Sequence, residues 1–217
     1  MNERTKRIVM SITGVILCGI SVGMFKHAAL GVDPFQCLMS GLDAMIPISF
    51  GTLYVIVNAI LLLFSLLLDR TKIGIATFIN LFLLGYIVEA SQHVFASLFP
   101  SLSLAGSFVL FPAAIILLCI SSSLYITADL GVSTYDALAL VWSERQSRIP
   151  FSVCRIITDL ICVISGMILL FSAGKTVSQV LGSVGIGTII TAFFMGPLVS
   201  WFSEHLARPL RYGTTVR

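Results

Sequence analysis

Six stretches of this 217-residue chain stay apolar long enough to cross a lipid bilayer. They fall at about residues 7–30, 51–69, 74–97, 107–129, 151–172 and 179–204. A hydrocarbon core of ~30 Å takes about 20 helical residues to cross. The runs are continuous rather than alternating, which argues against a β-barrel. Lipid offers the backbone no hydrogen bonds, so each run is read as a helix. A large soluble core is the other way to house such runs, and composition removes it. The chain is 57% hydrophobic and 11% charged, against roughly 25% charged residues in a soluble domain. Too little polar surface remains to cover a water-soluble body. The fold class expected is an all-α, polytopic membrane helix bundle.

Other classes find little support. No Lys/Arg cluster with interleaved aromatics appears, so nucleic acid is not an expected partner. Four of the five cysteines fall inside apolar runs and read as small hydrophobes. No Cys/His spacing suggests a zinc site or a disulfide framework. HExxH, GxSxG, P-loop and paired intramembrane acids are absent, so neither an enzyme, a cofactor nor a metal is expected. The opening MNERTKR resembles the start of a signal peptide. The run behind it has no small-residue cleavage site, and Leu17 stands before Cys18 where a lipoprotein site needs a small residue. An uncleaved first span is the reading.

The basic residues set an orientation. Arg4, Lys6, Arg7, Arg70, Lys72, Arg145, Arg148, Arg208, Arg211 and Arg217 all fall on one side of a six-span chain, leaving only Lys26 and Lys175 for the other. Both termini are therefore expected in the cytoplasm. The lipid bilayer is the first partner implied.

The chain repeats itself. Residues 13–42 laid over 113–142 give nine identities, among them Leu30/Leu130, Gly31/Gly131 and Val32/Val132. Residues 74–89 (GIATFINLFLLGYIVE) match 185–200 (GIGTIITAFFMGPLVS) at seven positions, including Gly74/Gly185, Thr77/Thr188 and Gly85/Gly196. The blocks come in the same order, and the offset grows from 100 to 111 as an insertion requires. The halves divide at 1–100 and 101–217. Three spans end opposite to where they start, so the second copy runs upside down. Inverted repeats of this kind build many secondary transporters. A pseudo-symmetric scaffold without a transport role would show the same pattern.

Both copies interrupt themselves at one place. Gly31 and Gly131 can take positive φ and end a helix. Asp33 then reads as an N-cap, Pro34 as the first helical residue and Gln36 as the third. Ser133, Thr134 and Asp136 repeat that grammar. Spans one and four thus stop, turn and restart as helical pieces at about 36–46 and 136–146. The pieces read either as gates or half-sites, or as interfacial helices with good caps. Asp33 and Asp136 argue against a bound anion there.

Some polar residues lie at depth. With Phe50 laid over Phe151, Asn58 falls opposite Asp159, each roughly 12 Å into its span. A carboxylate at that depth is costly and marks a candidate site. Arg155 precedes Asp159 by one turn, so an internal ion pair competes with a proton- or cation-binding role. Asn80 and Thr191, paired by the repeat, add polar groups at similar depth. Glu89 with His93, and Lys26 with His27, read as interfacial groups.

A span ending in Leu-Gly-Val, a short turn, and a next span opening with Phe50, Gly51 and Thr52 together resemble the YczE/YyaS/YitT group of bacterial membrane proteins. That group's usual turn is Gly-x-Ser-Pro-Trp-Asp. Here one copy reads Gly31, Val32, Asp33, Pro34, Phe35, Gln36 and the other Gly131, Val132, Ser133, Thr134, Tyr135, Asp136. Each keeps part of the pattern. The resemblance implies a multi-pass protein of the bacterial cytoplasmic (inner) membrane, and neither a cofactor nor catalytic residues. The expected function is a small secondary transporter or permease-like protein for an unknown solute or ion, with a midplane site of Asp159, Asn58, Arg155, Asn80 and Thr191. A membrane scaffold or accessory protein is the alternative. Six spans are few to enclose a path, so a homodimer is an expected assembly, with Gly14, Gly19, Gly23, Gly182 and Gly185 packing either that interface or the bundle itself.

Overall fold

The computed structural model describes residues 2–68, 73–131, 133–135, 137, 142 and 151–213. Among them there is no strand. The helices are α1 (Glu3–Ala28), α2 (Pro34–Met45), α3 (Phe50–Leu68), α4 (Ile75–Leu98) and α5 (Leu104–Ala128). A helical piece opens at Thr134. Then come α6 (Phe151–Ser172), α7 (Val177–Ser183) and α8 (Ile186–Phe202), a π-helical turn (Ser203–Ala207) and α9 (Arg208–Tyr212).

α1, α3, α4 and α5 are each long and apolar enough to cross a membrane. α6 has 22 residues, with its apolar stretch at Ile156–Ser172. The expected sixth span at 179–204 is corrected: it is two helices, parted at Val184 and Gly185. α7 falls within the stretch over which the repeat offset grows. Its start is a capping box in which Thr176 and Gln179 satisfy each other's amides.

α1 packs against α4 and α5, α2 against α6, α3 against α4, and α5 against α8. Small residues let the backbones close in. Gly14 faces Ser121 and Tyr125, Gly19 faces Ile87, Gly23 faces Ser91, and Gly41 faces Gly166. The Ser91 hydroxyl donates to the Gly19 carbonyl at 3.0 Å, and the Ser121 hydroxyl to the Gly14 carbonyl at 2.8 Å. Hydroxyl-to-backbone bonds of this sort join membrane helices where apolar burial cannot. The glycine stripe of α1 is thus filled from within the chain. Leu63, Phe64, Phe82, Phe108, Ile164 and Ile168 point outward, an apolar exterior suited to lipid.

Both expected helix breaks are present. α1 ends on Ala29 at φ 53, followed by Gly31 at φ 118. α5 ends on Asp129 at φ 52, followed by Gly131 at φ 114. The Asp33 carboxylate accepts the Gln36 amide at 3.2 Å, and Pro34 opens α2. Only half of the expected capping box forms, because the Gln36 side-chain oxygen finds no partner among the described residues.

Each break docks on a distant helix start. The Gly187 amide donates to the Leu30 carbonyl at 2.8 Å, and the Ala76 amide to the Leu130 carbonyl at 3.0 Å. Gly187 and Ala76 are equivalent positions of the repeat, as are Leu30 and Leu130. The Gly31 and Val32 amides also reach the Gly182 and Ser183 carbonyls, at 3.1 and 3.0 Å. The two contacts leave no room for side chains. A Cβ on Gly31 would lie 2.7 Å from the Thr188 nitrogen, and one on Gly131 would lie 2.7 Å from the Thr77 hydroxyl.

Arg7 of α1 and Arg211 of α9 meet at the end of α5. Arg7 Nε donates to the Ala128 carbonyl at 2.7 Å, and Arg211 Nη1 to the Thr127 carbonyl at 2.5 Å. The Asp129 carboxylate lies 3.2 Å from Arg7 and 3.6 Å from Arg211. Cations at a helix C-terminus meet the negative end of its dipole.

Candidate functional site

A cavity of about 500 Å³ lies where both broken helices meet the spans. Its polar wall comes from α2, α3, α4, α5, α6, α8 and the second helical piece. Asp33, Gln36, Asn58, Asn80, Ser133, Asp159 and Thr191 all line it. Seven residues singled out in the sequence therefore share one cavity. Pro34 lines it too. Gly31 and Gly131 instead form the docking contacts beside it. Arg155 lies on α6, and its side chain is outside the described residues, as is the whole of Asp136.

Asn58 and Asp159 each take a hydrogen bond from the second helical piece. Asn58, 1% exposed, accepts a 2.5 Å hydrogen bond from the Thr134 hydroxyl and donates to the Tyr54 carbonyl at 2.9 Å. Asp159 accepts a 2.6 Å hydrogen bond from the Tyr135 hydroxyl. Thr134 and Tyr135 are neighbours at the start of the second helical piece. That piece bridges the polar positions of α3 and α6. Its placement follows from the break at Gly131, where the backbone takes φ 114.

Tyr135 stacks on Phe35, its repeat equivalent, with ring centroids 5.0 Å apart and planes at 29°. Phe35 also meets Tyr54 edge-on at 5.9 Å. Asn80 is half of another equivalent pair, with Thr191 across the cavity. The Thr191 hydroxyl donates to the Thr188 carbonyl of its own helix at 3.0 Å. Two polar atoms in the wall are buried without a partner among the described residues: Gln36 Oε1 and the Tyr125 hydroxyl. Burying an unpaired polar group costs about 1–3 kcal/mol, so such atoms are candidates for ligand contact.

Tyr54 and Tyr125 escaped the sequence reading, and Thr134 and Tyr135 were read only as parts of the helix break. A signal was present. Tyr54 and Tyr125 place hydroxyls inside apolar runs, and an aromatic follows the break in both copies.

The remaining polar groups lie outside the cavity lining. Glu89 caps α3, its carboxylate accepting the Gly51 amide at 2.9 Å, rather than pairing with His93. Lys26 Nζ lies 3.3 Å from the centroid of the Phe50 ring. His27 stacks on Phe95 at 6.3 Å.

Apolar helices wrapped around a largely apolar cavity with polar side chains in its wall define a multi-pass integral membrane protein. The chain belongs to a family of unknown function (DUF6198), whose model matches residues 5–204. It is similar to the uncharacterized membrane protein YczE of Bacillus subtilis, at 24% identity over 99% of this chain and 94% of that one. Another relative is the uncharacterized protein YyaS of the same bacterium, at 22% identity over 90% and 91%. An uncharacterized protein of Haemophilus influenzae is 23% identical over 94% and 86%. These relatives agree with the resemblance carried by the turn after each Leu-Gly-Val. No solved structure matches the chain.

Proposed function

We propose that this protein is a small secondary transporter or permease of the bacterial cytoplasmic membrane, with the cavity as its solute site. Six spans form two inverted three-helix repeats, residues 1–100 and 101–217, with both termini in the cytoplasm. One observation carries the reading: the cavity wall is built from repeat-related pairs. Cys18/Leu118, Val22/Ser122, Asp33/Ser133, Phe35/Tyr135, Asn80/Thr191 and Leu84/Met195 all line it. A site on a pseudo-two-fold axis can be closed from either side by equivalent movements of the two halves. The crossed docking of Leu30 on Gly187 and of Leu130 on Ala76 supports the same symmetry. The protein is read as a non-enzyme, and a homodimer as its expected assembly.

A scaffold is the second reading. The bond from Tyr135 to Asp159 favours it, since a buried, bonded carboxylate also serves structure. Thiol labelling decides. Cys18 lines the cavity, and a variant can keep it while the other four cysteines become serine or alanine. Passage of a solute predicts that a membrane-impermeant maleimide labels Cys18 from either face of the membrane. Asp159→Asn should then abolish uptake while the melting temperature holds. Labelling from neither face, with Asp159→Asn mainly lowering the melting temperature, would establish the scaffold.

A further inference from the structure

The cavity runs along α1 and α5 toward the end of the bundle where Arg7 and Arg211 meet. On α1 it is lined by Cys18, Val15 and Gly14, and on α5 by Ser122, Tyr125 and Ile126. Arg7 lies about two turns beyond Gly14 on the same face of α1. Asp129 follows Ile126 by one turn, at the end of α5. Met10 and Ser11 fall between Gly14 and Arg7, and both are buried. Met10 packs with Leu124, Ala128 and Ala207. Beyond the cavity on this side there is thus an apolar layer, and then a cluster of charge.

That cluster ties the two halves of the sequence together. Arg7 of α1 donates to the carbonyls of Ala128 and Asp129, and Arg211 of α9 to that of Thr127. Both guanidinium groups also lie beside the Asp129 carboxylate, at 3.2 and 3.6 Å. The Arg211 side chain is 11% exposed, so its charge is largely withdrawn from water and held by these partners. The other break has no counterpart. Ala29 stands where the repeat puts Asp129, and its side chain cannot pair with a cation.

We infer that Arg7, Asp129 and Arg211 form a latch that holds this end of the cavity shut and parts when a solute crosses on that side. The inference rests on the cavity being a solute site. It makes the two ends unequal. The end at Asp129 is held by ion pairs and an apolar layer, and the end at Ala29 by backbone docking. The resting protein therefore favours access from the face opposite Arg7 and Arg211.

Labelling rates in vesicles of both orientations test it, with the full chain carrying Cys18 as its one cysteine and a membrane-impermeant maleimide as the probe. Asp129→Asn removes the shared charge and keeps the backbone, because Asn also adopts positive φ. It should speed labelling of Cys18 from the face bearing Arg7 and Arg211 by about fivefold or more, the order expected for losing two partly exposed ion pairs. It should not raise the rate from the opposite face. Arg211→Gln, which can still donate to the Thr127 carbonyl, should act in the same sense. Glu204→Gln removes an exposed charge from the π-helical turn and should change neither rate. The inference is overturned if Asp129→Asn and Arg211→Gln leave the native rate unchanged, if both faces speed up equally, or if Glu204→Gln acts alike. A lower melting temperature with unchanged labelling would also overturn it, leaving the cluster a structural clasp. Native Cys18 labelled from both faces, with no effect of either variant, would defeat the latch alone. Native Cys18 labelled from neither face, yet labelled in Asp129→Asn from the face of Arg7, would defeat solute passage alone.

Discussion

Tyr135 does two jobs with one side chain. Its ring stacks on Phe35, and its hydroxyl holds the Asp159 carboxylate at 2.6 Å. Tyr135→Phe separates them, keeping the stack and removing the donor. A hydrogen bond to a charged group contributes about 1.5–3 kcal/mol, so the variant should lose stability of that order and melt at a lower temperature in detergent. An unchanged melting temperature would mean that the bond adds nothing to the fold. Asp159 and Asn58 were legible because a carboxylate or amide deep in an apolar run is costly. Their partners were not. Thr134 and Tyr135 looked like part of a helix cap, and only the folded turn carries them across to α3 and α6.

At the scale of elements, the breaks depend on backbone that side chains cannot enter. Gly31 and Gly131 combine φ near 115° with docking contacts under 3 Å. Changing either to Ala should cost about 2 kcal/mol or more. Gly174 is the control, with φ 75 and open space where a Cβ would sit. Its change to Ala should cost about 1 kcal/mol. Melting curves of the three variants compare them, and equal losses would remove the docking contact as the cause. The breaks were readable because a glycine stood before an N-cap residue. The α7/α8 division was not, because around Gly185 one serine, Ser183, sits among glycines and apolar residues, and no capping side chain opens α8. Sequence hydropathy therefore ran the two helices together.

At the scale of the whole molecule, Arg7 of α1 and Arg211 of α9 meet at the end of α5, where they share Asp129. The orientation proposed from the basic residues puts this end of the molecule in the cytoplasm. A fluorescent protein fused after Arg217 should light up, and alkaline phosphatase fused there should stay inactive. An active phosphatase would reverse the proposed orientation. The repeat was visible as two aligned blocks, although the middle blocks matched poorly and the register of α3 against α6 rested on laying Phe50 over Phe151. The crossed docking has a further meaning for how the protein is made. A ribosome delivers residue 30 to the membrane long before residue 187 exists. Until then the Leu30 carbonyl has no backbone partner from its own half, and lipid supplies none. The newborn first half must wait, hydrated or chaperoned, so insertion into the bilayer and completion of the fold are separate events.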